Sequence, residues 1–245
     1  MYGIIVIREY KTSDISNINQ VIRNAYLSSA FNAWLTFLGK EITFQMIVLG
    51  AAVMFIFMGV PFQYCIISIP VVMFVMFIFV YLAFLMKAME LSHGKRFNQC
   101  WVAESLDPIL ELNPPKNKLY RIIPEYKLTD EGIDLSRFRK TIVGTVSITK
   151  FSHDENAAWL FRLAVINGFR RKGVGQNLVQ TAEKWCSDNR FHTIMCSMSE
   201  CQENARKLFM NNRYLLKHMY HKQIIGSALT LLMYQLESPL ITTFS

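Results

Sequence analysis

The residues with the clearest chemical potential lie between Leu163 and Gln176. The stretch reads Leu163-Ala164-Val165-Ile166-Asn167-Gly168-Phe169, then Arg170-Arg171-Lys172-Gly173-Val174-Gly175-Gln176. An aliphatic strand ends, a short loop turns, and a helix begins at a basic turn bearing two glycines. Helix N-termini present unpaired N–H groups and a partial positive charge, which favour phosphate. Gly173 and Gly175 lack a Cβ and let those groups approach a diphosphate closely. Arg170, Arg171 and Lys172 add full charges beside them. A glycine-containing turn with a solvated basic face accounts for the same residues equally well. Two other phosphate motifs do not. A dinucleotide fingerprint needs a third Gly or Ala where Leu178 stands, and a P-loop needs Gly-Lys-Ser/Thr where Gly175 is followed by Gln176.

The elements that must position this turn are legible around it. Gly3–Arg8 is rich in β-branched residues and predicts a strand. Ser13 or Asp14 can cap a helix whose apolar positions are Ile15, Ile18, Val21, Ile22 and Ala25. Strands are predicted at Cys100–Ala103, Thr141–Ile148, Ala157–Val165, Phe191–Met198, Leu215–His221 and Leu229–Leu236. Helices are predicted at Val174–Ser187, with Val174, Leu178, Ala182 and Trp185 on one stripe, and at Asn204–Asn211. Leu106–Lys140, with Pro108, Pro114, Pro115 and Pro124, reads as loop. The order of elements predicts a mixed α/β fold.

One segment does not belong to that fold. From Ile42 to Met86 there is no Lys, Arg, Asp, Glu or His. As one helix this run would measure about 67 Å, against a hydrocarbon core of roughly 30 Å, so two spans fit and one does not. The break falls at Gly59-Val60-Pro61-Phe62-Gln63. Helices are predicted near Ile42–Val60 and Tyr64–Met86, with Pro70 kinking the second. The domain organisation expected is therefore residues 1–41 as first strand and helix, 42–86 as a transmembrane hairpin, and 87–245 as the remainder of the α/β domain. Lys40, Lys87, Lys95 and Arg96 flank the hairpin and its tip is uncharged, so both ends are expected in the cytosol. The apolar run starts too late and is too long for a signal peptide.

Composition agrees with this division. The chain has 245 residues, 52% hydrophobic and 18% charged, which excludes a disordered or collagen-like chain and a nucleic-acid tail. Its formal charge of +8 favours anionic partners. The five cysteines, Cys65, Cys100, Cys186, Cys196 and Cys201, form no C-x-x-C and read as reduced thiols. His192, His218 and His221 lack metal-ligand spacing.

The pattern R-x-x-G-x-G after a strand of type L-x-V resembles the GNAT acetyltransferase superfamily. Arg170, Gly173 and Gly175 match its acetyl-CoA pyrophosphate loop, and Leu163 and Val165 match the splayed strand that contacts the acyl-pantetheine arm. Asn204-Ala205-Arg206-Lys207-Leu208-Phe209, followed by Tyr214, resembles its second signature. The resemblance implies a GNAT-like mixed central sheet with flanking helices, interrupted here by the hairpin. It implies acetyl-CoA as co-substrate, held by Leu163, Val165, Arg170, Arg171, Lys172, Gly173, Val174, Gly175, Gln176 and Asn204, without a metal. The hairpin, and Arg162 in Arg162-Leu163-Ala164-Val165, are similar to the membrane-bound Camello-like branch, which includes cysteine-S-conjugate and aspartate N-acetyltransferases at the endoplasmic reticulum membrane.

Three positions depart from the family pattern. Phe209 stands where many relatives carry a tyrosine acid, Trp159 where many carry a carboxylate base, and Gln202 where an asparagine is usual. His153, Asp154 and Glu155 can supply a base through water, or form only a polar loop. An α-amine, with pKa about 7.7–8.0, is partly neutral at pH 7 without help, whereas a lysine near 10.4 is not. The expectation is a membrane-anchored N-acetyltransferase acting on the α-amine of a small amino-acid-like substrate. The alternatives are a membrane-tethered CoA-binding scaffold without turnover and a protein-lysine acetyltransferase.

Overall fold

A computed structural model describes residues 3–92, 97–108, 119–130, 138–152, 154–225 and 229–240. The β-branched run at the start forms β1 (Gly3–Glu9), and amphipathic α1 (Ile15–Leu27) buries Ile18, Val21 and Ile22. The chain then departs from expectation. A further helix, α2 (Ala30–Leu38), follows a break at Ser28-Ser29 and buries Ala30, Ala33 and Phe37. The two apolar helices are α3 (Glu41–Met58) and α4 (Ser68–Ser92), joined by a 3-10 segment at Phe62–Ile67. Gly59 ends α3 in the left-handed region (φ 63), where glycine carries no Cβ penalty, and the Val60 N–H reaches back to the Met54 carbonyl at 3.2 Å. Because α4 starts at Ser68, Pro70 falls in its first turn. A missing N–H costs nothing there, so the expected kink has no cause.

Both helices are long and apolar enough to cross a membrane. α3 is almost bare, with 6% of its apolar window buried. α4 is not. Met76, Val80, Phe84 and Ala88, four residues apart, are all buried, and the helix runs past Lys87 to pack this stripe on α1 and α2.

The remaining elements are β2 (Gln99–Pro108), β3 (Tyr120–Pro124), α5 (Glu125–Asp130), β4 (Phe138–Phe151), β5 (Asp154–Val165), α6 (Val174–Asp188), β6 (Thr193–Ser199), α7 (Glu203–Asn211), β7 (Leu215–Ile225) and β8 (Leu229–Pro239). The 106–140 region is thus not all loop. β2 runs to Pro108, β3 lies parallel to β1, and a short helix follows it. The eight strands form one sheet in the order β3-β1-β2-β4-β5-β6-β8-β7. One face packs on α6 and α7 through Val174, Leu178, Val179, Ala182, Cys186 and Phe209. The other packs on α1, α2 and α4. Trp185, expected on the α6 core stripe, is only partly buried and lies edge-on to Trp101 at 5.8 Å.

The feature that makes a site is the way β5 and β6 part. They pair in parallel only from Ala157–Leu160 against Thr193–Cys196. β5 then continues to Val165 and β6 to Ser199 with no register between them. A bulge in β5 accompanies the parting: Ala164 lies opposite Thr145 but Phe161 opposite Ser147, so Arg162 and Leu163 share one partner position on β4.

Candidate functional site

The loop after β5 leads into α6 through Gly173, an exposed N-cap residue at φ 81. No side chain caps the helix, and its first backbone bond is from the Asn177 N–H to the Gly173 carbonyl at 3.0 Å. The N–H groups of Gly173, Val174, Gly175 and Gln176 therefore have no carbonyl in the helix to donate to. The Val174 side chain is buried, so only its backbone can meet a ligand. At Gly175 a Cβ would stand 3.4 Å from Leu208 Cδ2, which seats the α6 start closely on α7. The Gly173 and Gln176 positions are open to solvent.

The three cations of this loop have different situations. Arg171 is exposed. Lys172 Nζ lies 4.6 Å from the Tyr120 ring centroid and 5.4 Å from that of Phe169, so β3 and the loop hold its charge between two rings. Arg170 turns back. Its Nε donates to the Val165 carbonyl at 2.9 Å and its Nη2 to Ser28 Oγ at 2.9 Å, while its N–H donates to the Asn167 carbonyl. Burial lowers its pKa. Arg170 thus ties the end of β5 to the end of α1, and its charge is not free in the way the sequence suggested.

The consequence falls on Val165. It pairs with Gly144, and the Ile166 N–H donates to the Val143 carbonyl at 2.9 Å. In an antiparallel ladder this marks Gly144 and Val165 as a pair that does not exchange hydrogen bonds. The Val165 N–H and carbonyl therefore both point away from β4, toward the parting of β5 and β6. Arg170 occupies the carbonyl, and the N–H is left facing the gap. Leu163 packs on the α6 side of the same strand.

The positions that usually move protons do not do so here. Phe209 is buried, 4.9 Å from the Tyr214 ring, and Tyr214 is itself 2% exposed. Trp159 stacks on Phe151 at 5.4 Å. Asn204 is exposed in the first turn of α7. Gln202 Oε1 accepts the Ser199 N–H at 3.2 Å, and the Gln202 side chain lies beside the Tyr26 hydroxyl and counters part of the effect of burial on it. Burial pushes the Tyr26 hydroxyl up to about 12, so it stays protonated at neutral pH. Sequence reasoning did not single out Tyr26, because nothing in α1 marks which residue meets the β6–α7 turn. His153 lies outside the described residues. Asp154 and Glu155 begin β5 while Val165 ends it, a separation of roughly 30 Å in an extended strand, too far for a base acting through one water. Cys100, Cys186, Cys196 and Cys201 are all buried, and burial raises each thiol above its ordinary range. Among the described residues no group of His, Cys, Asp or Glu is arranged to hold a metal.

Residues 97–212 match the model of the Acetyltransferase (GNAT) family. Solved structures resemble the chain along its length. One, described as a phosphinothricin N-acetyltransferase, is 12% identical, with 96% of this chain and 98% of that one covered and a TM-score of 0.50. An N-acetyltransferase from Staphylococcus aureus Mu50 is 10% identical, covering 96% and 98%, with a TM-score of 0.48. The ribosomal-protein-S18-alanine N-acetyltransferase from Escherichia coli is 10% identical, covering 96% and 94%, also at 0.48. No curated protein matches the chain by sequence.

The chain carries the GNAT acetyltransferase fold. The family matched over residues 97–212 is one of acetyltransferases. Within a GNAT fold, the exposed uncapped start of α6 and the inward N–H of Val165 are chemically suited to a diphosphate and a thioester carbonyl respectively. The bare glycine positions fit close approach of such a group, and Arg171 and Lys172 supply charge of the right sign.

Proposed function

We propose that this protein is a membrane-anchored N-acetyltransferase that uses acetyl-CoA and acts on the α-amine of a small amino-acid-like acceptor. The observation that carries the reading is the pairing of two sets of unspent N–H groups: those of 173–176 at the start of α6, and that of Val165 in the gap. The first would hold the diphosphate. The second would donate to the thioester carbonyl oxygen as negative charge builds on it. The acceptor nitrogen forms a bond to the acyl carbon, the carbon–sulfur bond breaks with its electron pair going to sulfur, and the proton lost by nitrogen passes through solvent to the departing thiolate. With Phe209 and Trp159 unable to move protons, the acceptor must arrive partly neutral, which favours an α-amine over a lysine side chain. General acid–base help is typically worth 10²–10⁴-fold, so the turnover expected is slow.

Anchoring is supported by the bare apolar surface of α3 and the lipid-length run of α4, since exposed apolar surface of that extent requires a cover. Basic residues flank the hairpin, which favours a cytosolic α/β domain. The Camello-like resemblance favours the endoplasmic reticulum. The test is release of free CoA by purified protein in detergent across a panel of amines. Turnover of α-amines that rises through pH 7–8 supports the reading. A second reading, a CoA-binding scaffold, draws on the packed rings at 159 and 209; thermal stabilisation by CoA with no amine turned over would establish it. Peptidyl lysine outperforming amino acids would establish protein acetylation instead.

A further inference from the structure

Among the described residues, three arginines of the strands and of the loop after β5 stand half-buried or deeper, and two have full explanations. Arg8 is held by Asp14 and Glu104, and Arg170 by a carbonyl and a hydroxyl. Arg162 has neither. It occupies the β5 bulge with φ 56, a left-handed conformation that an L-residue adopts at a cost. Its Nε is buried with no hydrogen-bond partner. Its guanidinium lies over the Phe161 ring at 5.4 Å, and no ion pair to it exists among the described residues. It is near enough to the Cys100 thiol that each bears on the ionisation of the other. Leu163 and Val165 pack with the α6 cluster while Ala164 and Cys100 pack with α1, so Arg162, two residues before Ala164, lies on the sheet face where α1 packs. The polar groups beside Cys100 are already committed: Ser147 Oγ donates to Cys100 Sγ at 3.3 Å and Thr145 Oγ1 to the Trp101 carbonyl at 3.2 Å.

A desolvated guanidinium held in a strained bulge without an anion is destabilising unless a ligand supplies one. The phosphates of acetyl-CoA belong to the opposite face, at the start of α6. The remaining participant is the acceptor, and Arg162 precedes Val165 by three residues, about 10 Å along an extended strand. An α-carboxylate gripped there by the planar fork of an arginine leaves the neighbouring α-amine directed toward the gap. We propose that Arg162 is the specificity-determining residue of this enzyme, binding the α-carboxylate of an amino-acid acceptor from the α1 face of the sheet. This rests on the amine-acetylating reading above.

The experiment compares full-length protein with R162Q and R162K in detergent, using each of the twenty amino acids against its α-carboxamide. Two readouts are taken: CoA release, and thermal stabilisation by the amino acid in the presence of CoA. The expected result is that wild type prefers the acid. R162Q raises KM for the acid by about 10- to 100-fold, with little change for the amide and none in stabilisation by CoA alone. R162K recovers part of the preference, since it keeps charge without the fork. An acid-to-amide ratio unchanged in R162Q overturns the proposal while leaving the acetyltransferase reading intact. Absence of turnover overturns that reading, and the stabilisation arm then decides Arg162 alone: loss of amino-acid binding in R162Q supports the site, and equal binding or none in wild type overturns it.

Discussion

Two ionic arrangements at residue scale make opposite use of burial. Arg8 is 8% exposed and Asp14 6%, yet they form a bidentate pair at 2.6 and 3.1 Å, and Arg8 also reaches Glu104 at 3.1 Å. This triad joins β1, β2 and the start of α1. Replacing Arg8 with Met leaves the buried Asp14 and Glu104 carboxylates without their shared cation, which costs about 3–5 kcal/mol, read as a lowered unfolding midpoint in detergent. Burial alone would push the Asp14 carboxyl up, but the Arg8 hydrogen bonds and the Lys11 N–H overcome it and hold it below the ordinary value. A depressed folded pKa gives stability that is present above the unfolded value, about 3.9, and lost as pH falls through the lower folded one. The midpoint of wild type therefore drops below pH 4, and that of the Asp14→Asn variant drops less steeply there. Gly173 answers to a different constraint. At φ 81, with the Ile122 side chain 3.6 Å from where a Cβ would stand, Gly173→Val both strains the turn and covers the N–H groups. Thermal stabilisation by acetyl-CoA should fall by the equivalent of at least about tenfold in affinity, roughly 1.4 kcal/mol, on top of a lower unliganded midpoint from the strain, about 1–3 kcal/mol.

At the scale of elements, α4 decides how separable the hairpin is from the body. Its buried residues Val80 and Phe84 belong to one core cluster with Ala30, Ala33 and Phe37 of α2, with Cys201 of the β6–α7 turn and with Leu231 of β8. Phe84→Ala is expected to cost about 3–5 kcal/mol, as for a core aromatic. Excising 42–86 removes Val80 and Phe84 together and should give aggregated protein. Excising only 47–74 with a short Gly/Ser link keeps that cluster, and size-exclusion chromatography separates the two outcomes. The sequence made this element visible as apolar but not its division of labour: a run without charge looks the same whether lipid or protein covers it. For the same reason α2, adjoining the run, was merged with its surroundings. β4 was legible because β-branched residues fill it (Thr141, Ile142, Val143, Thr145, Val146, Ile148), and β5 and β6 were legible as short apolar runs bounded by polar residues. β3 was not, being five residues ending in Pro124 and preceded by Pro108, Pro114 and Pro115. In the site, Gly173 and Gly175 could be read from type and spacing. The inward N–H of Val165 could not, since it follows from which residues pair across β4 and β5, and the bulge at Arg162 is likewise a property of register.

The whole molecule is a lopsided object. All of its charged side chains lie outside 42–86, so the net charge of +8 resides on the α/β body and its flanks. Lys40, at the root of α3, donates to the Thr230 carbonyl at 2.7 Å and pairs with Glu200 at 3.5 Å, which fixes the hairpin's base to the end of the sheet. If lipid covers the hairpin, its basic root and the body must share one side, and the uncharged tip must emerge on the other. That arrangement also brings the α1–α2 face, with Phe31 and Leu35 exposed, close to the bilayer surface, so an acceptor reaching Arg162 would come past lipid. The topology can be read by labelling with a membrane-impermeant maleimide. The native cysteines are buried, so a Gln63→Cys variant reports the tip and an Arg171→Cys variant the body. In sealed microsomes the second should label without detergent and the first only after permeabilisation. Both labelling in sealed vesicles would mean that the hairpin does not cross the bilayer but lies on its surface or within a partner.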